Sequence, residues 1–468
     1  MTWPAVLFWI VIAAGVLMRG PLLLYAFFVF GAFGTLDMIP HEAVGGLNLS
    51  AQTFCALFLV VKILLAKGNP SRAMAAALDP SRLGVLFIFL AYGFLSAYVM
   101  PRLFAHLVEV IPIAVTLPWA VPLEPTAANF TQPAYMALSV GMTLAFTLVG
   151  GSANFRDHYL QALLLGGIVL IATGLVDMTM ASLGLADLLE PFRNVSGNPL
   201  IDDHMLGAKR VVGLMPEASS YGGVCCEAAV GLTFLRPSFH NRLRDLVVPP
   251  TILGLIVMAM LSTSSTAYVG LTIFAVIFAM NWLRRFLAPH ALGRDALKWE
   301  GLFVFAAALA LLFVVTLAPA VLDPAYAMID EVIFQKSETG SYVERTMWTR
   351  VGLDAFFATD GIGVGLGSAR TSNWYVAILS NTGVIGAMLL GAFIVQVMLA
   401  RSCNDKGAAE FMTALKFTLL PSAVMLALAG TTPDFGAGVG AKFGLILSLA
   451  SLKRLPLSLS AATRAENS

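Results

Sequence analysis

Long apolar runs alternate with short polar connections along almost the whole chain. The runs fall near 4–18, 21–39, 49–66, 83–100, 134–151, 159–176, 222–236, 247–262, 265–282, 301–322, 374–399, 411–428 and 434–452. Most come close to the ~20 residues an α-helix needs to cross a bilayer. The pattern predicts an all-α, polytopic membrane protein with about thirteen transmembrane helices, a single integral membrane domain over 1–468. Runs one and two are parted only by Arg19-Gly20, so the count is good to about one.

Composition agrees. Hydrophobic residues make up 58% of the 468 and charged residues 12%, against ~25% charged in ordinary soluble domains. A chain of this length has no core large enough to hide that excess from water. The net charge of +1 lacks the basic footprint of a nucleic-acid-binding protein. Cys55, Cys225, Cys226 and Cys403 have neither zinc-ligand nor disulfide-framework spacing and read as small apolar residues. Residues 1–20 lack a basic start and a small-x-small cleavage site, and read as a retained first span.

Charge sets an expected orientation. Lys67, Arg72 and Arg82 follow run three, Arg236, Arg242 and Arg244 follow run seven, and Arg284, Arg285, Arg294 and Lys298 follow run nine. Arg401 with Lys406, and Lys453 with Arg454, follow runs eleven and thirteen. All fall on one side, cytoplasmic by the positive-inside rule, with the N-terminus outside and the C-terminus inside. Three longer connections then lie outside: 101–133, Pro-rich and expected on the membrane surface, 177–221 and 323–373. No soluble domain and no inverted repeat stands out.

The second and third loops break the charge rule. They hold Arg193, Lys209, Arg210, Lys336, Arg345, Arg350 and Arg370. The plain reading is solvated charge balanced by Asp202, Asp203, Glu331, Glu344 and Asp354, and it is preferred for Arg193 and Lys336. For Arg210, Arg345 and Arg350 a ligand reading is better. Arg210 leads through Gly213 to Glu217, Ser219, Ser220 and Tyr221 at the mouth of a membrane helix. Arg345 and Arg350 lie in 341–357, where Val343, Met347, Val351 and Phe356 suggest an apolar stripe and hence an interfacial helix. Arg350 and Asp354, four apart, also suit a surface pair. Alternating Gly361, Gly363, Gly365 and Gly367 follow. Without a βαβ context they are no dinucleotide motif, but glycine backbone beside arginines suggests an anion site. A diphosphate on a membrane lipid suits it, because arginine binds phosphate bidentately and stabilises a departing anion.

The region 344–391, with Arg345, Trp348, Gly361 to Gly367, Ser372-Asn373 and Gly383 to Gly386, resembles the signature of the O-antigen ligase and polymerase superfamily. Arg210 to Ser219 is similar to that family's second landmark, and 261–271 to its Ser-rich third. The resemblance covers roughly the C-terminal 60% of the chain. It implies a GT-C-like membrane glycosyltransferase on the periplasmic face of the bacterial inner membrane. It also implies an undecaprenyl-diphosphate-linked glycan donor and a second lipid-linked or glycan acceptor. Ligases of the family tend to carry His-Asn where this chain has Ser372-Asn373, which favours an O-antigen or exopolysaccharide polymerase over a ligase acting on lipid A–core or protein. A chain-length regulator is an implied partner.

On this reading Arg210, Arg345 and Arg350 hold the diphosphate and Glu217 is the general base, with Asp360 second to it. Ser219, Trp348, Gly363, Gly365, Gly367 and Asn373 line the substrate. No metal or other cofactor is called for: His204 beside Asp202-Asp203 reads as a loop histidine. Trp348, Trp374 and Tyr221 could stack on sugars or simply sit at the interface. The rival class is a transporter of polysaccharide or lipid-linked sugar, which needs ionisable residues mid-helix. Lys62 and Lys416 instead lie near cytoplasmic ends, and Glu227 near an outer one.

Overall fold

The computed structural model describes residues 2–39, 49–113, 119–195, 200, 204–205, 208–287, 297–298, 300–302, 340–402 and 406–451. The run at 301–322 falls almost wholly outside these residues. So do Lys336, Glu331, Asp202, Asp203, Cys403 and the side chain of His204.

The chain is an all-α membrane protein. Its helices are α1 (Trp3–Leu17), α2 (Leu22–Phe30), α3 (Ala51–Leu64), α4 (Asn69–Leu78), α5 (Gly84–Leu103), α6 (Ala128–Val149) and α7 (Ala153–Ser182). They continue as α8 (Ala218–Leu235), α9 (Val248–Leu261), α10 (Ser265–Leu287), α11 (Gly340–Ala358), α12 (Trp374–Leu399), α13 (Lys406–Ala429) and α14 (Ala437–Ser451). Among the described residues, seven helices are long and apolar enough to cross a membrane, or eight if α3 and α4, bent by 103°, form one broken span. Apolar helices α1 and Ala437–Ala450 are shorter. Two short hairpins complete the fold: β1 (Glu109–Val110) with β2 (Val121–Pro122), and β3 (His204–Met205) with β4 (Ala208–Lys209).

The loop at 101–133 is shorter than expected. Helix α5 runs on through Pro101 to Leu103, and α6 begins at Ala128 with Pro133 in its second turn. Helix α7, at 30 residues, carries its last turn beyond the apolar run to Ser182.

Glycine lets the helices approach. On α14, a Cβ at Gly440 would overlap Ser139 O, and one at Gly444 would overlap Thr143 O. This small-xxx-small pair seats α14 directly on the backbone of α6. Thr143 and Thr147 turn their hydroxyls onto the carbonyls four residues back (3.0 and 2.7 Å), so both hydroxyls at this contact are satisfied within α6.

The lysines at the basic end satisfy helix C-termini. Lys62 Nζ donates to Gly15 O (2.5 Å) and Met18 O (2.8 Å) at the end of α1. Lys416 donates to Met398 O (2.8 Å) and Ala400 O at the end of α12. Cations belong there, where orphan carbonyls collect.

The opposite end gathers the loops. Thr35 N–H donates to Leu214 O (3.1 Å), Val211 N–H to Leu261 O (3.3 Å), Arg370 N–H to Ile111 O (2.8 Å) and Thr371 N–H to Thr431 O (3.3 Å). These bonds tie 33–38 to 209–217 and the end of α9, and 104–113 and 430–436 to 359–373; Arg210 adds the turn at 262–264, and the Arg345–Glu217 pair links the two groups of loops at this end.

Two charges differ from expectation. Arg193 is not a solvated loop charge: its guanidinium is buried and donates to Asp177 Oδ1 (2.9 Å) and Gly213 O (3.0 Å). Glu227 is not near a helix end: it is the tenth of the 18 residues of α8 and pairs with Lys442 of α14.

Candidate functional site

Helix α11 spans Gly340–Ala358, as the sequence pattern predicts for 341–357, but its buried stripe is offset. Trp348, Gly352 and Ala355 face inward, while Val343 is exposed. These positions fall at i, i+4 and i+7, one face of a helix. Gly352 permits the contact, since a Cβ there would stand 2.6 Å from Thr371 Cγ2.

Arg345, three residues before Trp348, leaves the helix on a neighbouring face and meets Glu217. Its Nη2 stands 3.8 Å from Glu217 Oε2, and the two side chains are 28% and 34% exposed. The pair is long and open to solvent. Glu217 occupies the cap position of α8 in extended conformation (φ −157°, ψ 160°) without capping the helix amides. Its Oε1 instead accepts the hydroxyls of Ser219 and Ser220 (3.4 Å to the latter). Glu217 and Ser219, both singled out by sequence, thus work as one unit.

Arg370 completes the group. Its guanidinium carbon lies 4.1 Å from the centroid of Trp348, and its Nε is buried with no partner. Among the described residues its guanidinium makes no hydrogen bond or ion pair. Burial lowers its pKa, Glu344 and Glu217 pull it back up, and Arg345 lowers it again; it stays a cation. Glu217 and Arg345 therefore both lie within electrostatic reach of Arg370. Trp348, expected to stack on sugar, supports this arginine instead, and it is buried.

The glycine loop does not present amides to a ligand. Asp360, Gly361, Gly363, Gly365 and Gly367 alternate through positive φ, 50° to 97°, and 363–369 are buried. Gly363 packs on the backbone of Gly383, its would-be Cβ 2.6 Å from Gly383 N, and Gly365 packs on Ser96 O at 2.7 Å. The Val364 amide donates to Ser380 O (2.8 Å) and that of Gly365 to Asn381 O (3.0 Å). The amides of Gly367, Ser368 and Ala369 all converge on Asn381 Oδ1 (3.1, 3.1 and 3.2 Å). Asn381 Nδ2 in turn donates to Ala369 O (2.8 Å) and Ala377 O (2.9 Å). The glycines let the loop thread between α5, α6 and α12, and so aim Arg370.

Other expected residues take structural places. Arg210 donates from Nε to Thr263 Oγ1 (2.9 Å) and Ser262 O (3.2 Å), and from Nη2 to Thr263 O (3.1 Å). It clamps the α9–α10 turn, where Thr263 sits at φ 47°. Arg350 points to solvent and pairs at 4.0 Å with Asp354, both more than 70% exposed; it lies 140° around α11 from Arg345, five residues at 100° each. Asn373 caps α12, its Oδ1 accepting the amides of Tyr375 (3.0 Å) and Val376 (3.3 Å). Tyr221 is fully buried with its hydroxyl on Leu170 O (2.8 Å), and Trp374 Nε1 donates to Asp434 O (3.1 Å). Asp360 forms the plain Asp-Gly turn.

Sequence reasoning missed Arg370 as a site residue. It also missed Asn381 and Asp177, which build the frame. Asp177, 1% exposed, takes Arg193 and Lys209 (3.2 Å) on Oδ1 and the amides of Val212 and Gly213 (3.1 Å each) on Oδ2. A buried carboxylate at the end of an apolar run and an asparagine inside one were the available signals.

The group of Glu217, Arg345 and Arg370 can bind an anion on the arginines and accept a proton on the carboxylate. Among the described residues no cluster of His, Cys, Asp and Glu is arranged to hold a metal ion. Neither models of known protein families nor the curated proteins match this chain.

Proposed function

We propose that the protein is a membrane glycosyltransferase of the O-antigen polymerase and ligase type. It transfers an oligosaccharide from an undecaprenyl-diphosphate-linked donor to a second lipid-linked unit or another glycan hydroxyl. The observation that carries this reading is the Glu217–Arg345 pair beside Arg370, whose guanidinium has no hydrogen-bond or ion-pair partner among the described residues. Two guanidinium groups suit a diphosphate, and one open carboxylate suits an acceptor hydroxyl.

In the reaction the acceptor oxygen attacks the anomeric carbon and forms the new glycosidic bond. The bond from that carbon to the diphosphate oxygen breaks, and the diphosphate leaves with the electron pair. Glu217 takes the acceptor's proton. Arg345 and Arg370 offset the charge that grows on the leaving group, where a well-placed donor is worth ~10²–10³ in rate. No step calls for a metal or other cofactor. Arg210 and Arg350 drop out of the diphosphate site.

The loop layer carrying this group lies opposite the basic end marked by Lys62, Arg72 and Lys416. By the positive-inside rule the site then faces the periplasm of a bacterial inner membrane, in a GT-C-like arrangement. Polymerase is preferred to ligase because Ser372 replaces the ligase histidine. A chain-length regulator is a further expected partner.

One observation favours the transporter class: Glu227 and Lys442 meet inside the bundle beside a cavity. Purified protein incubated with a lipid-linked repeat unit, without ATP or an ion gradient, separates the two. Longer glycan is the expected product. Movement of the repeat unit across a proteoliposome membrane without growth of the glycan would establish the transporter instead.

A further inference from the structure

Away from the loop layer, six helices leave a cavity of about 100 Å³ between α2, α3, α7, α8, α13 and α14. It runs beside α8 from Val224 to Leu235, ~16 Å along the helix at 1.5 Å per residue. Polar groups enter it from five of those helices: Gln52, Tyr159, Glu227, Thr418 and Lys442.

Three of these groups have bonding capacity left over. The Glu227 side chain keeps 37% of its accessible area although it lies in mid-helix, against 10% for Lys442. A carboxylate so exposed at that depth faces the cavity it lines. Its Oε1 accepts Lys442 Nζ and Ser422 Oγ (3.4 Å). Among the described residues Oε2 accepts nothing. The ammonium of Lys442 has three donors, and Glu227 takes one. Tyr159 is only 2% exposed, and Glu227 lies within electrostatic reach of it. Among the described residues its hydroxyl makes no hydrogen bond. Buried polar groups are normally bonded, and the space that Tyr159 lines is where its partner can stand.

Size and chemistry choose the occupant. One water needs about 10–15 Å³ of such volume, so the cavity holds several, whereas a drug-sized ligand needs a pocket of about 300 Å³ or more. Each buried water wants two to four polar partners. Glu227 Oε2, the spare protons of Lys442 and the Tyr159 hydroxyl supply them, with Gln52 and Thr418 beside. The carboxylate and the ammonium cancel, so no net charge is left to hold an ion. An ion pair removed from water is favourable only when its remaining lone pairs and protons are also satisfied, and water satisfies both kinds.

We propose that the cavity is a hydrated chamber, in which a cluster of ordered waters bridges Glu227 Oε2, Lys442 Nζ and the Tyr159 hydroxyl. The waters solvate an ion pair that links α8 to α14 in the middle of the bundle. This assignment is independent of the glycosyl-transfer reading.

The test uses the full-length protein in detergent, with hydroxyl radicals generated from water by a short X-ray pulse and mass spectrometry as the readout. Radicals form where water is, so a buried ring is oxidised only beside bound water. Phe89 is the reference: it is 0% exposed, and its helix α5 does not border the cavity. Tyr159 should be oxidised about tenfold faster than Phe89, since only Tyr159 has water within the bundle to react with. Replacing both charges together, Glu227→Met with Lys442→Met, leaves no uncompensated ion and should reduce oxidation of Tyr159 several-fold. Oxidation of Tyr159 no faster than that of Phe89 overturns the proposal. So does a folded double variant in which Tyr159 is oxidised as fast as before. If that variant misfolds, the comparison of the two rings in the unaltered protein still decides.

Discussion

Arg370 lies over the indole of Trp348, its guanidinium carbon 4.1 Å from the ring centroid. The stack holds a cation over an aromatic face while burial strips its water and Nε finds no partner. An arginine held ready in this way has donors to spare for an anion. Arg370→Ala should lower transfer from a lipid-diphosphate donor by about 100-fold. Arg370→Lys should recover little of it, because an ammonium keeps the charge but not the planar fork. Initial rates of glycan extension measure both. Full recovery by lysine would mean that charge alone matters.

Arg345 and Arg350 should behave very differently. Arg345 faces Glu217, whereas Arg350 forms an exposed pair with Asp354. Exposed pairs contribute about 0.2–1 kcal/mol. Arg350→Ala should therefore stay within about twofold of the parent rate, and Arg345→Ala should fall by about 100-fold. Glu217→Gln should keep donor binding and lose transfer. Donor binding to immobilised protein, set beside glycan length on gels, distinguishes these outcomes. Comparable losses in Arg345→Ala and Arg350→Ala would remove the basis for separating them.

Asn381 is expected to matter for stability first and activity second. Replacing it with alanine leaves the buried amides of Gly367, Ser368 and Ala369 without their acceptor. An unsatisfied buried group costs about 1–3 kcal/mol, so Asn381→Ala should destabilise by about 3 kcal/mol or more. Denaturant-induced unfolding in mixed micelles reads this directly. A loss under about 1 kcal/mol would mean the loop finds other acceptors.

The α6–α14 contact gives a test free of any functional reading. A methyl at Gly444 would overlap Thr143 O, with Phe146 Cβ at 2.7 Å and Thr147 N at 3.0 Å. Backbone cannot yield as a flexible side chain can. Gly444→Ala should cost about 1–3 kcal/mol by overpacking, whereas Gly391→Ala, where a Cβ meets nothing within 4 Å, should be neutral. Thermal unfolding of the two variants in one detergent compares them.

What could be read in advance follows from the physics of each signal. Apolar runs announce helices because lipid leaves the backbone no other way to pair, so every described run found its helix, and α11 matched within a residue. The pair of Glu217 and Arg345 was legible as residue types at loop positions. Its geometry was not, because it depends on packing between segments more than a hundred residues apart. Trp348 and Arg370 show the limit best. Both stood in the same loop, but only the turn of the chain at Gly361 to Gly367 brings them together, and that turn is fixed by Asn381 inside an apolar helix. The alternating glycines looked like a ligand cradle because local sequence cannot say which partners take their amides. Arg193 looked solvated because its partner, Asp177, lies just past the end of the apolar run, and only the continuation of α7 to Ser182 buries it.

Asp434 supplies a pH test. It lies in the loop at 430–436, where burial pushes its carboxyl up to about 6, against the opposing hydrogen bonds of Ser139 and the amides of Gly436 and Phe435. Its Oδ1 is buried without a partner. The ordinary value for an aspartate is 3.8, so the folded protein holds this proton more tightly than the unfolded chain. Between about pH 4 and 6 the folded state binds more protons, and stability must fall as pH rises through that window. Its contribution is complete below about pH 4 and gone above about pH 6. Asp434→Asn, which cannot ionise, should remove this fall while leaving other carboxylates to titrate as before. The measurement is the difference in unfolding temperature between parent and variant at pH 4, 5, 6 and 7. The parent should lose ground to the variant across the window and hold a constant deficit above it. A difference that does not change with pH would show that Asp434 titrates like a solvated carboxylate.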